Sequence, residues 1–458
     1  MPVDDENAIV QRVENEPRAR RAPGRRGRWP EALATAACSG FVITAPKSLT
    51  PAIRVAFVLM ATAGAIDLSR REARDPGSPL PIAGAIAALF TLAVATPTKF
   101  ATDIWSYTLT GRILAVHHLN PYRVAPVKMA SDPLLPLLHN TWRSGTTPYG
   151  PVAVLHAASV AVIAGTHPLL YRLAFQSSAA AAIGAALYLL WRTTRSTAAL
   201  ALVGLHPEVV GSIVNGGHND AVIALGLLVI VLLLARGRMG TAGWVFLATV
   251  LTKLTLAYAT IPIAVWIWHR HGRRALLRFL MPSIVAVPLV AVIPGAVKSM
   301  TQANGGVVTR LAIWNVPIHV GWFTFAGLHA SNYSTVGLVA VAVLISIAAW
   351  RERDDLSPAR GAALGVAAWV GLAAYVVPWY TVTGLVVAAL RPTGRLARWL
   401  AVQGGIITAA FLIPRSALTN SSIVGAAVHL YIPLALTATL GFAVFERRDR
   451  RKVREPML

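Results

Sequence analysis

The residue of this chain best placed for chemistry is a carboxylate at the edge of an apolar run. Asp103 opens the polar and aromatic stretch 101–151, just after apolar residues. A carboxylate beside a low-dielectric wall has its pKa raised towards the range in which a general base works on a hydroxyl. Asp also caps helices well, so a cap on the segment DIWSYTLTGRIL is the structural alternative. We predict that Asp103 is the catalytic base, and the two roles are compatible.

A second polar segment, Asn215-Gly-Gly-His218-Asn219-Asp220, interrupts an otherwise apolar region. Its glycines permit close backbone approach, and its side chains offer the donors and acceptors that sugar hydroxyls require. A plain tight turn also uses Asn and Gly, but it has no need of His218 and Asp220. We predict that Asn215, His218, Asn219 and Asp220 bind substrate. Their spacing is thin support for a metal site, so we predict no metal ion and no other cofactor.

Two ionisable residues stand inside apolar segments. Glu208 follows His206 by two positions, and an ionisable group within a span indicates function by default, with a structural pair to His206 as the alternative. Lys253 falls at the outer tip of a predicted helical hairpin, 241–268. A lone cation there fits a lipid phosphate, and the alternative is a lysine that reaches the headgroups.

Aromatic residues occupy the tip of a second predicted hairpin, 361–390. Trp379 and Tyr380 either stack on a sugar or prenyl chain or belong to the ordinary interfacial belt. The loop 296–334, which contains Arg310 and Trp314, is a third outer segment that can cover a site.

The elements that must position these residues are membrane helices. The chain has 458 residues, of which 55% are hydrophobic and 13% charged, whereas a soluble domain has about 25% charged residues. Apolar runs long enough to cross a bilayer recur from 31 to 445. The net charge of +23 sits in short loops between these runs, which is the positive-inside pattern and excludes nucleic acid as the explanation. The single Cys38 excludes an internal disulfide framework.

The charges also divide the chain between two faces. The positive-inside rule assigns the basic turns to the cytoplasmic side: 70–74, 192–195, 236–238, 270–278, 351–360, 391–398 and 447–454. The stretch 97–150 then becomes a large first outer loop with short helices, and 151–166 a short or re-entrant helix. Of the 19 acids, only four remain for the outer side: Asp103, Asp132, Glu208 and Asp220. Asp132 precedes a proline and is most simply a turn residue.

We therefore predict an all-α polytopic membrane protein with about 12 to 14 transmembrane helices. Residues 1–30 are predicted as a disordered basic cytoplasmic tail, 31–446 as the transmembrane domain, and 447–458 as a second basic cytoplasmic tail. Membrane lipids are accordingly its first partners, and the plasma membrane its location.

The motifs follow an order that resembles a known family. The first outer loop contains Asp103-Ile-Trp-Ser106-Tyr107, Gly111-Arg112, Asn120-Pro121-Tyr122, Trp142 and Thr147-Pro148-Tyr149-Gly150-Pro151. The order continues with His206-Pro207, Gly216-Gly217-His218-Asn219, Lys253 and Pro378-Trp379-Tyr380. Across residues 80–400 this set resembles the actinobacterial polyprenol-phosphate-mannose-dependent α-(1→6)-mannopyranosyltransferases, which are integral-membrane glycosyltransferases of the GT-C class.

The resemblance implies a GT-C-like fold and transfer of mannose from a polyprenyl-phosphate donor to a lipid-linked mannan on the outer face. The family's loop acid corresponds to Asp103, and attack opposite a β-linked phosphate gives an α-linkage by inversion. The resemblance and the residues singled out above together predict these substrate-binding residues: Tyr107, Arg112, Tyr122, Tyr149, Glu208, Asn215, His218, Asn219, Asp220, Lys253, Trp379 and Tyr380.

Two other functions stay open. One is a GT-C enzyme with another lipid-linked sugar as donor, such as arabinofuranose. The other is a flippase or transporter of a lipid-linked sugar, for which Glu208 and His206 would matter most. An enzyme collects its polar residues on one face, and the four outer acids and Lys253 lean to one side, which favours the enzyme.

Overall fold

The computed structural model describes residues 28–46, 48–99, 102–302, 308–320, 330–414, 418 and 422–444. Within these ranges the chain is α-helical and contains no strand. The predicted tails 1–30 and 447–458 lie outside the described residues, apart from 28–30. The first helix begins at Trp29, because Pro30 fits the first turn of a helix, where its missing N–H is not needed.

The N-terminal half contains the helices that build the first outer loop and its surroundings. They are α1 (Trp29–Thr44), α2 (Pro51–Arg74), α3 (Leu80–Ala95), α4 (Asp103–Ala115), α5 (Asn140–Arg143), α6 (Pro151–Ala164), α7 (Pro168–Thr194) and α8 (Thr197–Gly204). Short 3₁₀ turns at Pro126–Lys128 and Leu135–Leu137 and a π-helical segment at Val209–Asn215 complete this half. The helix α4 packs along α6, so the polar loop between them folds back on itself.

The C-terminal half continues with shorter and longer helices in alternation. They are α9 (Asp220–Ala235), α10 (Met239–Val250), α11 (Thr260–Ala291), α12 (Ala296–Gln302), α13 (Asn315–His319), α14 (Ala330–Arg351), α15 (Pro358–Leu372), α16 (Tyr380–Ala388), α17 (Arg395–Phe411), α18 (Ile423–Ala426) and α19 (Ile432–Val444). A 3₁₀ turn at Leu254–Ala259 precedes α11, and a π-helical turn at Ala427–Tyr431 precedes α19.

The all-α, polytopic prediction is confirmed. Four helical stretches among the described residues are long and apolar enough to cross a membrane, or five if the bent pair Thr197–Gly204 and Val209–Asn215 is one span. Five shorter apolar helices accompany them, including Pro151–Ala164, the predicted short or re-entrant helix. The total of about 12 to 14 crossings and the GT-C assignment stay predictions.

The basic turns predicted as cytoplasmic contact one another. The Arg28 guanidinium lies 3.1 Å from the Glu72 carboxylate, which also accepts a hydrogen bond of 2.6 Å from the Thr197 hydroxyl. Between two other basic turns, the His269 ring lies 2.9 Å from Asp354. The start of α1, the end of α2 and the start of α8 therefore meet, as the charge pattern predicts for turns on one side.

The basic turn 270–278 divides α11. Gly272 has φ 77° and ψ −180° there, which is a conformation that glycine adopts without strain. The long stretch is thus two helices that meet at a turn, 260–271 and 273–291. This turn is where the predicted hairpin 241–268 ends.

Three breaks in apolar helices contain polar residues that the charge pattern predicts for the outer side. The α8 helix and the π-helical segment are bent by 65° around 205–208. The α10 helix stops before 251–253, and α15 is separated from α16 by 373–379. Non-helical backbone at membrane depth is tolerated where it is buried in protein or lines a cavity. The breaks therefore indicate where a cavity should lie.

Candidate active site

A cavity of about 710 Å³ lies where the first outer loop meets the second and third breaks. Its lining residues come from α4, the loop that precedes α6, the start of α12 and the two breaks. They are Asp103, Ser106, Thr110, Tyr122, Arg123, Pro126, Trp142, Gly145, Thr146, Thr147, Pro148, Tyr149, Lys253, Leu254, Thr255, Gly295, Lys298, Ser299, Met300, Tyr375, Trp379 and Tyr380. Six of the predicted site residues are among them: Asp103, Tyr122, Tyr149, Lys253, Trp379 and Tyr380.

Asp103 is the carboxylate at the cavity wall. It is the first residue of α4, the N-cap is Thr102, and no side chain caps this helix, so the capping alternative is not what the structure has. The Asp103 side chain is 19% exposed, and no described residue donates a hydrogen bond to it. Burial raises the pKa of Asp103 from 3.8 to about 6; nearby Lys253 opposes this shift and Asp220 adds to it. The group therefore suits proton abstraction near neutral pH.

His218 lies behind Asp103. Its Nδ1 atom is 3.7 Å from the Asp103 carboxylate and 3.4 Å from the Tyr107 hydroxyl. Its ring stacks on Trp379, with the centroids 3.9 Å apart. Burial, with nearby Lys253, lowers the pKa of His218 well below its ordinary value, so the imidazole is neutral. It therefore packs against Asp103 and Trp379 without neutralising the carboxylate.

Lys253 and Asp220 form a buried ion pair at the same wall. The ammonium lies 2.8 and 3.1 Å from the two oxygens of Asp220. It also stands over the ring of Tyr380, 4.7 Å from the centroid. The charge of Lys253 is therefore already matched by protein groups. Its predicted contact with a lipid phosphate stays a prediction.

The motif that ends in Tyr149-Gly150-Pro151 brings α4 and Lys253 together. The Gly150 N–H donates to the Thr252 carbonyl at 3.1 Å, one residue before Lys253. A Cβ atom on Gly150 would lie 2.0 Å from the Leu251 carbonyl oxygen, so only glycine allows the two backbones to approach this closely. Tyr149 then packs edge-on against Tyr107, with centroids 5.0 Å apart.

Two tyrosines keep their protons: Tyr122, which lines the cavity, and Tyr107, which lies behind it beside a smaller pocket. Burial raises the pKa of Tyr107 well above its ordinary value, and the charge of Asp103 adds to the shift. Burial also raises the pKa of Tyr122 to about 12. Both hydroxyls are therefore hydrogen-bond donors. The hydroxyl of Tyr122 is buried at the cavity wall without a partner among the described residues.

Asn219 lies beside this wall rather than in it. Asn219 lines a separate small pocket, together with Tyr107, Tyr149 and His218. Both polar atoms of its side-chain amide are buried, and neither has a partner among the described residues. Its predicted role in binding stays a prediction.

Arg112 does not line the cavity. Its guanidinium donates to both oxygens of Asp132, at 2.8 and 3.1 Å, and also to the Gly165 carbonyl. His117 completes the cluster at 2.7 Å from Asp132. Burial would raise the pKa of Asp132, but the hydrogen bonds from His117, from the Leu134 backbone and from Arg112 outweigh it and lower the pKa. The position of Arg112 is structural, and its predicted contact with substrate has no support from this geometry.

Asn215, like Arg112, forms its hydrogen bonds with protein groups outside the cavity. Its amide donates to the Ala93, Thr96 and Pro97 carbonyls and to the Thr96 hydroxyl, and its oxygen accepts from the Lys99 backbone. These groups are the open carbonyls at the end of α3, which need partners once they are buried. Asn215 therefore caps α3 and lies outside the cavity.

Glu208 is fully buried below the site. It accepts a hydrogen bond from the Thr381 hydroxyl, and its other oxygen has no hydrogen-bond partner among the described residues. The His206 Nδ1 atom is 3.9 Å from it, and the His206 Nε2 atom bonds the Ala401 carbonyl at 2.9 Å. The structural alternative of a His206–Glu208 pair is thus present, and neither residue lines the cavity.

The sequence pattern did not point to several lining residues. Arg123 and Lys298 add two cations, and Ser106 and Thr255 add hydroxyls. Arg123 follows the predicted Tyr122 directly, and Lys298 lies in the loop 296–334, which was predicted as a cover. A basic residue in an outer loop is against the positive-inside trend, and this is the signal that would have found them.

No group of three or more His, Cys, Asp or Glu side chains that could hold a metal ion occurs among the described residues. The predicted absence of a metal stays a prediction.

Comparison with known proteins shows a family relationship. Residues 49–270 match the family model described as α-(1→6)-mannopyranosyltransferase, N-terminal domain. The chain is 26% identical over 391 residues to α-(1→6)-mannopyranosyltransferase A of Mycobacterium tuberculosis, covering 77% of this chain and 73% of the relative. It is 26% identical over 399 residues to α-(1→6)-mannopyranosyltransferase B of Corynebacterium glutamicum, covering 76% and 64%. A third match, to the A enzyme of C. glutamicum, is 25% identical over 37% of this chain and 35% of the relative. No solved structure matches.

Proposed function

We propose that this chain is a membrane glycosyltransferase of the α-(1→6)-mannopyranosyltransferase family, and from that premise we propose its reaction. It transfers mannose from a polyprenyl-phosphate donor to a lipid-linked glycan at the outer face of the plasma membrane. The observation that carries this proposal is Asp103, a carboxylate with a raised pKa at the wall of a polar cavity large enough for two sugars.

The proposed reaction is a single inverting displacement. Asp103 takes the proton from an acceptor hydroxyl while that oxygen forms a bond to the anomeric carbon of mannose. The bond from this carbon to the phosphate oxygen breaks, and polyprenyl phosphate leaves with the electron pair. A β-linked donor then gives an α-linked product. Neutral His218 packs behind the Asp103 carboxylate, and Trp379 lines the cavity, where a sugar can pack against it.

The paired charges of Lys253 and Asp220 adjust the base in this proposal. Lys253 favours the charged form of Asp103, and Asp220 disfavours it. Two hydrogen bonds fix Lys253 and Asp220 relative to each other, so their opposing effects on the pKa of Asp103 are set by the fold. A phosphate at Lys253 would have to share its ammonium with Asp220.

A transporter would use the chain differently. That alternative rests on Glu208 and His206 at mid-depth, and both are fully buried and bonded to Thr381 and Ala401 instead of lining a passage. The polar groups that do line a cavity are collected around Asp103, as an enzyme requires.

The purified full chain should be incubated with a synthetic α-mannoside acceptor and a panel of radiolabelled donors. We expect label to move only from polyprenyl-phosphomannose, and linkage analysis to find an α-(1→6) bond. Label arriving from polyprenyl-phosphoarabinose would contradict the proposed donor. Passage of an intact labelled lipid across a vesicle bilayer, without a new bond, would instead establish the transporter.

A further inference from the structure

Three cations of the described residues line the cavity, and they differ in whether their charge is matched. Lys253 is held by both oxygens of Asp220. Arg123 and Lys298 are exposed, and no described side chain forms an ion pair or hydrogen bond with either. The unmatched positive charge of the cavity therefore lies at Arg123 and Lys298.

Packing of the two loops puts these cations on one rim. Arg123 runs across Gly295, where an added Cβ would lie 3.2 Å from the Arg123 Cγ atom and 2.8 Å from the Tyr122 carbonyl oxygen. Next to this contact the Asn120 amide donates to the Pro294 carbonyl at 2.9 Å. Lys298 follows in α12. Its neighbour Ser299 donates to the Thr147 carbonyl at 2.6 Å, which ties α12 to the first outer loop.

Two hydroxyls beside these cations lack partners. The oxygens of Tyr122 and Thr147 are buried at the same wall, and neither has a hydrogen bond among the described residues. The residues themselves are 6% and 5% exposed. Buried polar groups are nearly always bonded, so these two hydroxyls at the cavity wall are donors without a protein acceptor and can serve a ligand that supplies acceptor oxygens.

The chemistry of these four groups fits a phosphate. A guanidinium binds phosphate through two parallel N–H bonds, an ammonium binds it as a point charge, and two hydroxyls can fill the remaining acceptor positions. A lipid-linked phosphate fits better than a soluble one, because exposed apolar side chains lie close to Lys298 in the chain, at the end of α11, in the turn after it and in α12. Leu289, Val292 and Val297 are 64%, 75% and 49% exposed, which leaves a surface for a hydrocarbon chain.

We propose that Arg123 and Lys298, with the hydroxyls of Tyr122 and Thr147, hold the phosphate of a lipid-phosphate sugar donor. This inference rests on the proposed function and adds the site of the leaving group. The donor is a phosphodiester with one negative charge, and the leaving polyprenyl phosphate gains a second. Two unmatched cations therefore stabilise the departing group more than the bound donor, which is the condition for accelerating the reaction.

Binding should be measured without transfer, using decaprenyl phosphate and the purified full chain in nanodiscs. We expect Arg123→Ala and Lys298→Ala each to raise the dissociation constant about tenfold, the loss typical for one charge-assisted hydrogen bond. Lys128→Ala is the matched control, because Lys128 is an exposed cation of the same outer loop that does not line the cavity. It should bind as the unsubstituted chain does. Lys253→Met should change the constant less than threefold.

Three results would overturn this assignment. The first is unchanged decaprenyl phosphate binding in the Arg123→Ala, Lys298→Ala double variant. The second is a loss of affinity in Lys253→Met as large as that in Arg123→Ala. The third is competition by inorganic phosphate as strong as that by decaprenyl phosphate, which would show that the lipid is not recognised. Failure of the two proposals can be told apart. If the substitutions weaken binding but mannose is never transferred, the phosphate site stands and the proposed reaction fails. If mannose is transferred and the double variant binds normally, the reverse holds.

Discussion

The acid limb of the pH–rate profile reports the environment of Asp103. The base must be ionised to accept a proton, so the rate should rise with pH through the pKa of Asp103, about 6. At pH 5 roughly one-tenth of the molecules then carry a competent base, whereas a solvated carboxylate with a pKa of 3.8 would leave roughly nine-tenths competent. This difference of almost an order of magnitude has burial as its largest cause, with smaller opposing contributions from Lys253 and Asp220.

Two substitutions should move the limb in opposite directions. Lys253→Met removes the cation that favours ionised Asp103, so the limb should move to higher pH. Asp220→Asn removes the anion that disfavours it, so the limb should move to lower pH. His218 cannot produce such a limb, because its pKa is held well below its ordinary value and the ring stays neutral.

The assay is the initial rate of label transfer from polyprenyl-phosphomannose, as kcat/KM, from pH 4.5 to 8. The donor phosphodiester stays singly charged over this range, so it adds no limb of its own. A thermal unfolding scan of each variant at each pH separates inactivation from loss of fold. The reasoning is refuted by a rate that is unchanged between pH 7 and pH 5, or by limbs of Lys253→Met and Asp220→Asn that move in the same direction.

Further substitutions separate structural residues from those of the site. Arg112→Ala leaves the buried Asp132 carboxylate without its cation and should cost about 3–5 kcal/mol of stability. We expect a lower unfolding midpoint, and we expect the donor KM of the folded fraction to stay unchanged. Asn215→Ala removes the cap of α3 and should lower the free energy of unfolding by about 1–3 kcal/mol, again without a change in the donor KM. A large rise in KM would instead support the predicted contact of Asn215 with substrate. Gly150→Ala places a Cβ 2.0 Å from the Leu251 carbonyl oxygen, so the loop must separate from Lys253, and kcat should fall more than stability; full activity would show that this close approach is dispensable.

The helices and their breaks were accessible from the sequence because both follow from local pattern. Apolar runs and basic turns predicted membrane helices, the hairpin around Lys253, and the hairpin with Trp379 at its tip. The break at Gly272 falls within a predicted basic turn. The gathering of Asp103, His218, Lys253 and Trp379 followed from assigning their segments to one face.

The roles of Arg112, Asn215, Arg123 and Lys298 could not be predicted from the sequence, because they depend on contacts between residues far apart in the chain. Arg112 was predicted to bind substrate, but its partner Asp132 lies on a later turn, and nothing local indicates which way an arginine on α4 points. Asn215 likewise bonds the end of α3. Arg123 and Lys298 belong to loops far apart in sequence, and only their packing across Gly295 makes one site of them.

The central claim is that Asp103 is the base for transfer, and Asp103→Asn tests it most directly. The variant keeps the size of the side chain and loses only its ability to accept the proton. In the polyprenyl-phosphomannose assay at pH 7.5 we expect kcat to fall about 10²–10⁴-fold, with the unfolding midpoint and decaprenyl phosphate binding preserved. A folded Asp103→Asn enzyme that transfers mannose at a rate near that of the unsubstituted chain would contradict the account.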